Sequence, residues 1–150
     1  MIKKILVATD GSDTAVKAGT FAIELASQLN ASIYALYVAD AIEFLAGMKL
    51  AEMYLPTRDI IIQQLEEEGK AAISRLEDIA KAKGVSFSGE VVKGNDPVEE
   101  IVSAANKESA DLIVVGSHGK KTSLLDIALG EIPPKLLSAN VPCPVTVVKK

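Results

Sequence analysis

The sequence predicts an α/β protein in which a parallel sheet of five strands carries helices on both faces. Two observations lead to this fold class. Short apolar runs without polar alternation, which are typical of strands buried on both faces, recur along the 150 residues. Longer segments with apolar residues at helical spacing lie between these runs and can serve as crossover connections. Since 49% of the residues are hydrophobic, we expect one domain over residues 1–150 with one full core.

The five predicted strands follow the apolar runs in chain order. Strands that alternate with helices pair in parallel through right-handed crossovers. The segments are ILVA at 5–8, IYALYV at 33–38, GEVVKG at 89–94, LIVV at 112–115 and PVTVV at 144–148.

The helices are predicted from their capping residues and their apolar spacing. Ser12 is expected to cap a first helix that ends near Asn30. The longest helix is predicted over residues 57–83, because its apolar residues repeat at helical spacing and a glycine follows. Asp96 is expected to cap a further helix that has Pro97 in its first position.

Residues 39–56 fit the alternation of strands and helices least well. They favour either a short helix over the edge of the sheet or a lid or contact surface, and the sequence leaves both interpretations open. The apolar residues of this segment are Ile42, Phe44, Leu45, Met48, Leu50, Met53 and Leu55.

Composition and charge exclude several classes of protein. A formal charge of −4 and an aromatic content of 4% argue against a nucleic-acid partner, which requires a basic surface and often stacking platforms. No apolar run is long enough to span a bilayer, and the N-terminal apolar stretch is too short for a signal peptide. The single cysteine, Cys143, excludes an internal disulfide and is expected to be a small buried hydrophobe. We therefore expect a soluble, cytoplasmic protein.

A ligand is expected beyond the carboxyl ends of the strands, where the strand order reverses. The loop at 8–12 and the loop at 116–121 then face one crevice. Asp10 can accept hydrogen bonds from a sugar hydroxyl or a base amine, or it can serve only to start the following helix. Gly116 and Gly119 permit close backbone approach and expose amides suited to a phosphate. This spacing alone is weak evidence, since the chain contains neither a dinucleotide fingerprint nor a Walker lysine loop.

Three stretches of the sequence resemble universal stress protein domains. They are ILVATDGSDTA at the start, GNDPVEEIVSAANKESADLIVVGSHG in the second half and VPCPVTVVK at the end. The resemblance covers essentially the whole chain. It implies a Rossmann-like three-layer α/β sandwich with a five-stranded parallel sheet in the order 3-2-1-4-5. It also implies a homodimer joined through the last strand and a role in stress response or regulation, with ATP bound by many members but not by others.

The resemblance also implies a set of nucleotide-binding residues. Nucleotide binders of the family carry glycine, two residues, glycine, nine residues, glycine and then serine or threonine. In this chain Gly116 and Gly119 match the first two glycines, Gly130 follows after ten residues, and Glu131 replaces the hydroxyl residue. Asp10 matches the acid that contacts adenosine. Ala8 and Val38 match the walls of the base pocket, and His118 lies within the glycine loop either as a ligand contact or as an exposed residue.

The departures from the family motif predict a weakened triphosphate site. Glu131 places a carboxylate near the phosphates, and Pro133 and Pro134 lack the amide hydrogens that a helix start would offer an anion. Lys120 and Lys121 are either solvated or neutralise phosphate. A bound Mg²⁺ or Mn²⁺ would turn Glu131 from a repelling group into a ligand. We therefore expect an adenine nucleotide, ATP, ADP or AMP, with a metal only in the case that Glu131 coordinates it.

The sequence offers no set of residues that requires catalysis. His118 stands beside Ser117, but adjacent loop residues rarely point at each other and no third orienting group is evident. Slow ATP hydrolysis is left open, because positioning and a metal can suffice. The alternative to a nucleotide binder is a dimeric interaction module with an empty crevice. In both hypotheses the last strand pairs with a second copy, and the residues expected at that interface are Val145, Val147 and Val148.

Overall fold

Strands and helices alternate along the chain in the predicted order. The computed structural model describes residues 1–39, 55–94, 96–117 and 132–149. Within these ranges the elements are β1 (Lys4–Ala8), α1 (Asp13–Leu29), β2 (Ser32–Ala39), α2 (Leu55–Ala82), β3 (Phe87–Lys93), α3 (Pro97–Lys107), β4 (Leu112–Gly116), α4 (Ile132–Ser138) and β5 (Val145–Val148).

All five strands pair in parallel in the order β3-β2-β1-β4-β5, which confirms the predicted sheet. β1 is central: Val7 lies beside Ala35 of β2 and beside Val114 of β4. Helices cover both faces, because each βαβ crossover places its helix on one side of the sheet. The protein is therefore a Rossmann-like three-layer sandwich.

Two core clusters lie on opposite faces of the sheet. Successive side chains of a strand point to opposite faces, so Ile5 and Val7 pack under α1 and α2, whereas Leu6 packs under α3 and α4. All three side chains are fully buried. This explains why the central strands carry no polar alternation. Val145 and Val147 of β5 are only half-buried, as expected for an edge strand.

Helix starts agree closely with the predicted caps. The Ser12 side chain accepts a hydrogen bond from the Ala15 amide at 3.2 Å. Asn30 closes α1 in the left-handed conformation with φ of 56°. The Asp96 carboxylate accepts hydrogen bonds from the amides of Val98 and Glu99 at 3.0 and 3.3 Å. Ser12 and Asp96 thus satisfy amides that have no partner within the helix.

Two boundaries differ from the predicted ones by two residues, and several others by one. α2 begins at Leu55 rather than at residue 57, with Pro56 in the first turn, where a missing amide hydrogen costs no helical bond. β3 begins at Phe87, two residues early, although its Gly89 resembles a turn residue. A Cβ on Gly89 would stand 2.7 Å from Cγ2 of Ile73, so the strand needs a glycine there to let α2 pack. Of residues 39–56, positions 40–54 lie outside the described residues.

The Asp111 carboxylate links two segments at the amino edge of the sheet. Asp111, in the turn before β4, accepts hydrogen bonds from the backbone amides of Lys3 at 2.8 Å and Lys4 at 3.1 Å. These bonds hold the pKa of its carboxyl below the usual 3.8. Asp111 thereby ties the first strand to a turn more than one hundred residues later. No helix in the described ranges is both long and apolar enough to cross a membrane.

Candidate functional site

The carboxyl ends of β2, β1 and β4 meet at one edge of the sheet. The chain runs from β1 to its neighbour β2 on one side, whereas β4 lies on the other side of β1. The strand order therefore reverses between β1 and β4. In open parallel sheets this reversal is where ligands bind, because the loops after the two strands diverge and leave a crevice.

Three hydrogen bonds hold the loop after β1. The Thr9 amide donates to the Leu36 carbonyl at 2.9 Å, and the Gly11 amide donates to the Thr9 hydroxyl at 3.2 Å. The Ser12 amide donates to Oδ1 of Asp10 at 2.9 Å. Gly11 has φ of 80°, a left-handed conformation that favours glycine. The half-buried Asp10 is therefore fixed between β1 and α1.

Four of the predicted site residues lie along this edge. Ala8 ends β1, Val38 stands one residue before the end of β2, and both are half-buried and pack against the core on the α3 side. Asp10 follows β1, and Gly116 ends β4. Since β1 pairs with both neighbours, these four residues lie at the ends of three adjacent strands. The other predicted site residues lie outside the described part of the chain: His118, Gly119, Gly130 and Glu131.

Gly116 lies directly against the first turn of α1. A Cβ on Gly116 would stand 3.1 Å from Cγ2 of Thr14 and 3.3 Å from the backbone carbonyl carbon and oxygen of the same residue. The next amide, that of Ser117, donates to the Val148 carbonyl at 2.9 Å and so continues the ladder between β4 and β5. Glycine at 116 therefore has a packing role, which the motif alone does not reveal.

Two further polar side chains lie near Asp10, Tyr37 of β2 and Glu68 of α2. The Tyr37 ring of β2 lies under Gly69, where an added Cβ would stand 2.6 Å from Cδ1 of the ring. Burial, followed by the negative charges of Glu68 and Asp10, raises the pKa of Tyr37 to about 12. Neither Tyr37 nor Glu68 stands out in the sequence, since one belongs to an apolar strand and the other to a charged helix face. The sequence does carry one indication, because a glycine within a helix, such as Gly69, suggests that another group packs closely against the helix backbone.

Within residues 1–39, 55–94, 96–117 and 132–149, no cluster of three or more His, Cys, Asp or Glu side chains could hold a metal ion. Cys143 is half-buried and packs against the core on the α3 side, where burial and the charge of Asp111 raise the pKa of its thiol. The thiol is therefore a poor nucleophile at neutral pH.

The fold defines a Rossmann-like α/β protein whose sheet has its switch point between β1 and β4. The chain belongs to the universal stress protein family, whose sequence model matches residues 1–149. It is 39% identical over 150 residues to universal stress protein MJ0531 of Methanocaldococcus jannaschii, covering 100% of this chain and 84% of that protein.

Solved structures of the family share the architecture. The structure of MJ0577, a universal stress protein of Methanocaldococcus jannaschii, has a TM-score of 0.77 at 30% identity and covers 100% of this chain and 97% of its own. A universal stress protein in complex with cAMP has a TM-score of 0.67 at 26% identity, with coverages of 99% and 97%. The family predicted from the sequence is thus confirmed.

Proposed function

We propose that this chain binds an adenine nucleotide at the carboxyl edge of β2, β1 and β4. The observation that carries the proposal is the position of Asp10 and Gly116 at the ends of adjacent strands, on the two sides of the strand-order reversal. Asp10 supplies carboxylate acceptors for a ribose hydroxyl or a base amine. The glycines that follow β4 supply backbone amides for phosphate. The cAMP complex of a relative supports an adenine ligand.

The base is expected to rest against Ala8 and Val38. Both side chains are apolar, half-buried and placed on adjacent strands, so they offer a surface that an uncharged ring can cover. His118 and Gly119 are expected to contact the ligand from the loop after β4. Substitution of Asp10 is expected to weaken the binding of adenosine as much as that of ATP, because the carboxylate contacts the nucleoside part of the ligand.

We propose that this chain binds the triphosphate of ATP more weakly than a family member with an intact motif does. A carboxylate at Glu131 about 5 Å from a phosphate costs about 3 kcal/mol per charge pair at an effective dielectric of 20, and under 1 kcal/mol in full solvent. This range corresponds to an affinity loss between a few-fold and about a hundred-fold. The extra residue between Gly119 and Gly130, together with Pro133 and Pro134, reduces the number of well-placed amide donors further.

Calorimetric titration with ATP, ADP, AMP and adenosine tests this proposal. The expected result is binding of all four, with little or no gain from the β- and γ-phosphates in the absence of metal. Addition of Mg²⁺ or Mn²⁺ should strengthen ATP binding selectively if Glu131 coordinates the ion, and Glu131→Ser should abolish that selectivity while improving metal-free ATP binding. Submicromolar ATP binding without metal would contradict the weakened phosphate end.

We further propose a homodimer joined through β5. β5 is the outermost strand on the β4 side of the sheet, and Val145, Val147 and Val148 are all half-buried. Helices on both faces of the sheet also carry an exposed apolar side chain. Leu137 on α4 is 58% exposed and Phe21 on α1 is 42% exposed. Gly19 of α1 contacts α2, and Phe21 lies on the opposite side of α1, away from α2. An apolar sheet edge of this kind is normally paired or covered.

The backbone of β5 identifies which groups face the open edge. Ile113 donates to the Pro144 carbonyl and Ser117 donates to the Val148 carbonyl, so alternate β5 residues point their polar groups towards β4. Because the amide and carbonyl of one strand residue point to the same side, those of Val145 and Val147 point away from β4. They form the donor and acceptor row available to a second copy.

Val147→Pro tests the edge pairing directly. Proline removes an outward donor but leaves the bonds to β4 intact, as is tolerated on an edge strand. Light scattering at micromolar concentration should give a dimer for the natural chain and a monomer for Val147→Pro. The matched variant Val147→Thr keeps the amide and the branched shape and should remain dimeric. A monomeric natural chain would rule out the interface.

The biological role that fits this site is a nucleotide-responsive part of a stress response in the cytoplasm, where a single unpaired cysteine is stable. A nucleotide-free interaction module is the alternative, supported by the same apolar edge. Mass spectrometry of small molecules released from the purified, denatured protein separates the two functions. Copurified ATP or AMP supports nucleotide binding, whereas an empty extract with no thermal shift on nucleotide addition supports the interaction module. Any ATP hydrolysis is expected to be slow and to disappear with substitution of Asp10 or Gly119.

A further inference from the structure

Two buried polar side chains in the described ranges differ in whether they have a hydrogen-bond partner. Thr9 is 7% exposed and Thr14 is 9% exposed. The Thr9 hydroxyl accepts a hydrogen bond from the Gly11 amide at 3.2 Å. The Thr14 hydroxyl forms no hydrogen bond with any residue that the structure describes. Because a buried hydroxyl without a protein partner is normally bonded to a water molecule or a ligand, the Thr14 hydroxyl is available to a ligand.

The first turn of α1 has backbone amides in the same condition. The Ser12 side chain accepts a hydrogen bond from the Ala15 amide at 3.2 Å, and the Ser12 carbonyl accepts one from the Val16 amide. The amides of Asp13 and Thr14 donate to no group in the described part of the chain. Such amides at the start of a helix have no acceptor within the helix, and the helix dipole makes them attractive to an anion.

The Thr14 hydroxyl lies at the same end of α1 as these amides. A Cβ on Gly116 would stand 3.1 Å from Cγ2 of Thr14, so the Thr14 side chain lies against the end of β4. Side chains in helices lean towards the helix N-terminus, which places the hydroxyl on the turn that carries the two amides. The first turn of α1 therefore offers three hydrogen-bond donors beside the end of β4.

We propose that the first turn of α1 binds a phosphate group through the Asp13 and Thr14 amides and the Thr14 hydroxyl. This site is additional to the glycine loop after β4, and it does not require that the chain bind adenosine. Phosphate oxygens accept hydrogen bonds from amides and hydroxyls, and their negative charge is favoured at a helix N-terminus. The phosphate can be inorganic phosphate or the phosphate of a nucleotide, and experiment separates these two sources.

Two carboxylates oppose a phosphate at this site and limit its affinity. Asp10 lies two residues before the cap, and Asp13 is exposed in the first turn of α1. Because both repel a phosphate, we expect inorganic phosphate to bind in the millimolar range. Asp10→Asn should strengthen phosphate binding several-fold. The same substitution should weaken adenosine binding, because we propose that Asp10 contacts the nucleoside.

Thr14→Val tests the hydroxyl, and Thr20→Val is its matched control on the same helix. Valine keeps a methyl group against Gly116 but removes the hydroxyl. The Thr20 hydroxyl donates to the Val16 carbonyl at 2.8 Å, so its removal leaves the proposed site unchanged. Calorimetric titration of the full chain with inorganic phosphate should show about tenfold weaker binding for Thr14→Val. Binding should be unchanged for Thr20→Val and close to that of the natural chain for Thr14→Ser.

The two valine variants should also differ in stability without phosphate. A buried hydroxyl that lacks a partner costs free energy, so Thr14→Val should melt above the natural chain in phosphate-free buffer. Thr20→Val loses a hydrogen bond and should melt lower. Phosphate at about 10 mM should raise the melting temperature of the natural chain and of Thr20→Val, but not that of Thr14→Val. A large loss of stability in Thr14→Val would show that the hydroxyl has a structural partner and would overturn the inference.

Amide chemical shifts locate the bound phosphate directly. Titration with inorganic phosphate should move the Asp13 and Thr14 amide resonances of the natural chain, and the shifts should be much smaller for Thr14→Val at the same concentration. Shifts confined to Gly119 and its neighbours would place the phosphate in the glycine loop and overturn the inference. Absence of any response of the Asp13 and Thr14 amides to both inorganic phosphate and AMP would overturn it as well.

AMP and adenosine distinguish the two sources of the phosphate. Binding of inorganic phosphate alone, weakened in Thr14→Val, supports a site that is independent of nucleotide. Shifts of the Asp13 and Thr14 amides with AMP, but not with adenosine or inorganic phosphate, support a phosphate that arrives with the nucleotide. If adenosine and AMP fail to bind while inorganic phosphate binds at α1, the proposed nucleotide function is overturned and this site remains. Equal effects of Thr14→Val and Thr20→Val on phosphate binding overturn this inference alone.

Discussion

Gly116 and Thr14 are in direct contact, although one ends the fourth strand and the other lies in the first turn of the first helix. An added Cβ at 116 would reach Cγ2 of Thr14 at 3.1 Å and its backbone carbonyl at 3.3 Å. The start of α1 therefore lies against the end of β4, where we propose that the phosphates bind. Glycine at this position of the family motif therefore leaves room for the packing of α1 as well as for a ligand.

Gly116→Ala should destabilise the fold by about 1 to 3 kcal/mol, the usual cost of overpacking. Part of the clash is with the threonine methyl and part with backbone, so Thr14→Ser should rescue the alanine variant only partly. Urea denaturation of the two single variants and the double variant measures the coupling. A Gly116→Ala variant as stable as the natural chain would show that α1 yields easily and that glycine at 116 serves the ligand alone.

Gly69 and Gly19 offer a matched pair of helix glycines. A Cβ at 69 would meet ring atoms of Tyr37 at 2.6 and 2.9 Å and Cγ2 of Val91 at 2.9 Å, whereas a Cβ at 19 would meet the methyl ends of Leu76. The rigid ring of Tyr37 cannot move aside, whereas the methyl groups of Leu76 can rotate away. Alanine in a helix also gains about 1 kcal/mol over glycine.

We therefore expect Gly69→Ala to lower the free energy of unfolding by about 2 kcal/mol and Gly19→Ala to change it by less than about 1 kcal/mol. Thermal and chemical denaturation of both variants provides the comparison. If Gly19→Ala proves the more damaging of the two, the packing of α2 on β2 is looser than the contacts indicate.

Asp96→Ala removes the cap of α3. The carboxylate accepts from two amides, so the variant should lose about 1 kcal/mol of stability. Asp96→Asn keeps an acceptor and should retain most of it, and Asp96→Ser should behave similarly. Equal losses for alanine and asparagine would mean that charge against the helix dipole, rather than the hydrogen bonds, supplies the stabilisation.

Asp111 should make stability depend on pH in the acid range. Its folded pKa is held below 3.8 by the amides of Lys3 and Lys4. A group with a lowered folded pKa contributes stability above its unfolded pKa, and that contribution is lost as the pH falls through the folded value. The melting temperature of Asp111→Asn should therefore lie below that of the natural chain near neutral pH and converge with it below about pH 3. A difference that persists unchanged into acid would assign the effect to shape rather than charge.

The order of the elements could be predicted from the sequence because strands that are buried on both faces are apolar runs without polar alternation. Ile5, Leu6 and Val7 are all fully buried, which only a central strand of a covered sheet allows. The ends of the elements were less predictable. Gly89 lies within β3 because Ile73 of α2 packs over it, and Ile73 is sixteen residues away in the chain, beyond the reach of local propensity.

The candidate site was predictable where a loop residue carries its own signal. Asp10 follows a buried strand and precedes a glycine with positive φ, and both features can be inferred from the neighbouring residues in the sequence. Tyr37 and Glu68 could not be found in this way. Their placement depends on how α2 packs on β2 and on the loop after β1, which the contacts of Gly69 and Gly11 show.

The central position of β1 has a consequence for synthesis on the ribosome. β1 emerges first and β2 soon after, but β4, its second neighbour, is complete only with residue 116. Until β4 has been made, the central strand therefore exposes an unpaired edge, which is the feature that promotes association of incomplete chains. A nascent chain arrested before residue 112 should be retained by chaperones, and release should follow once the fourth strand has been inserted.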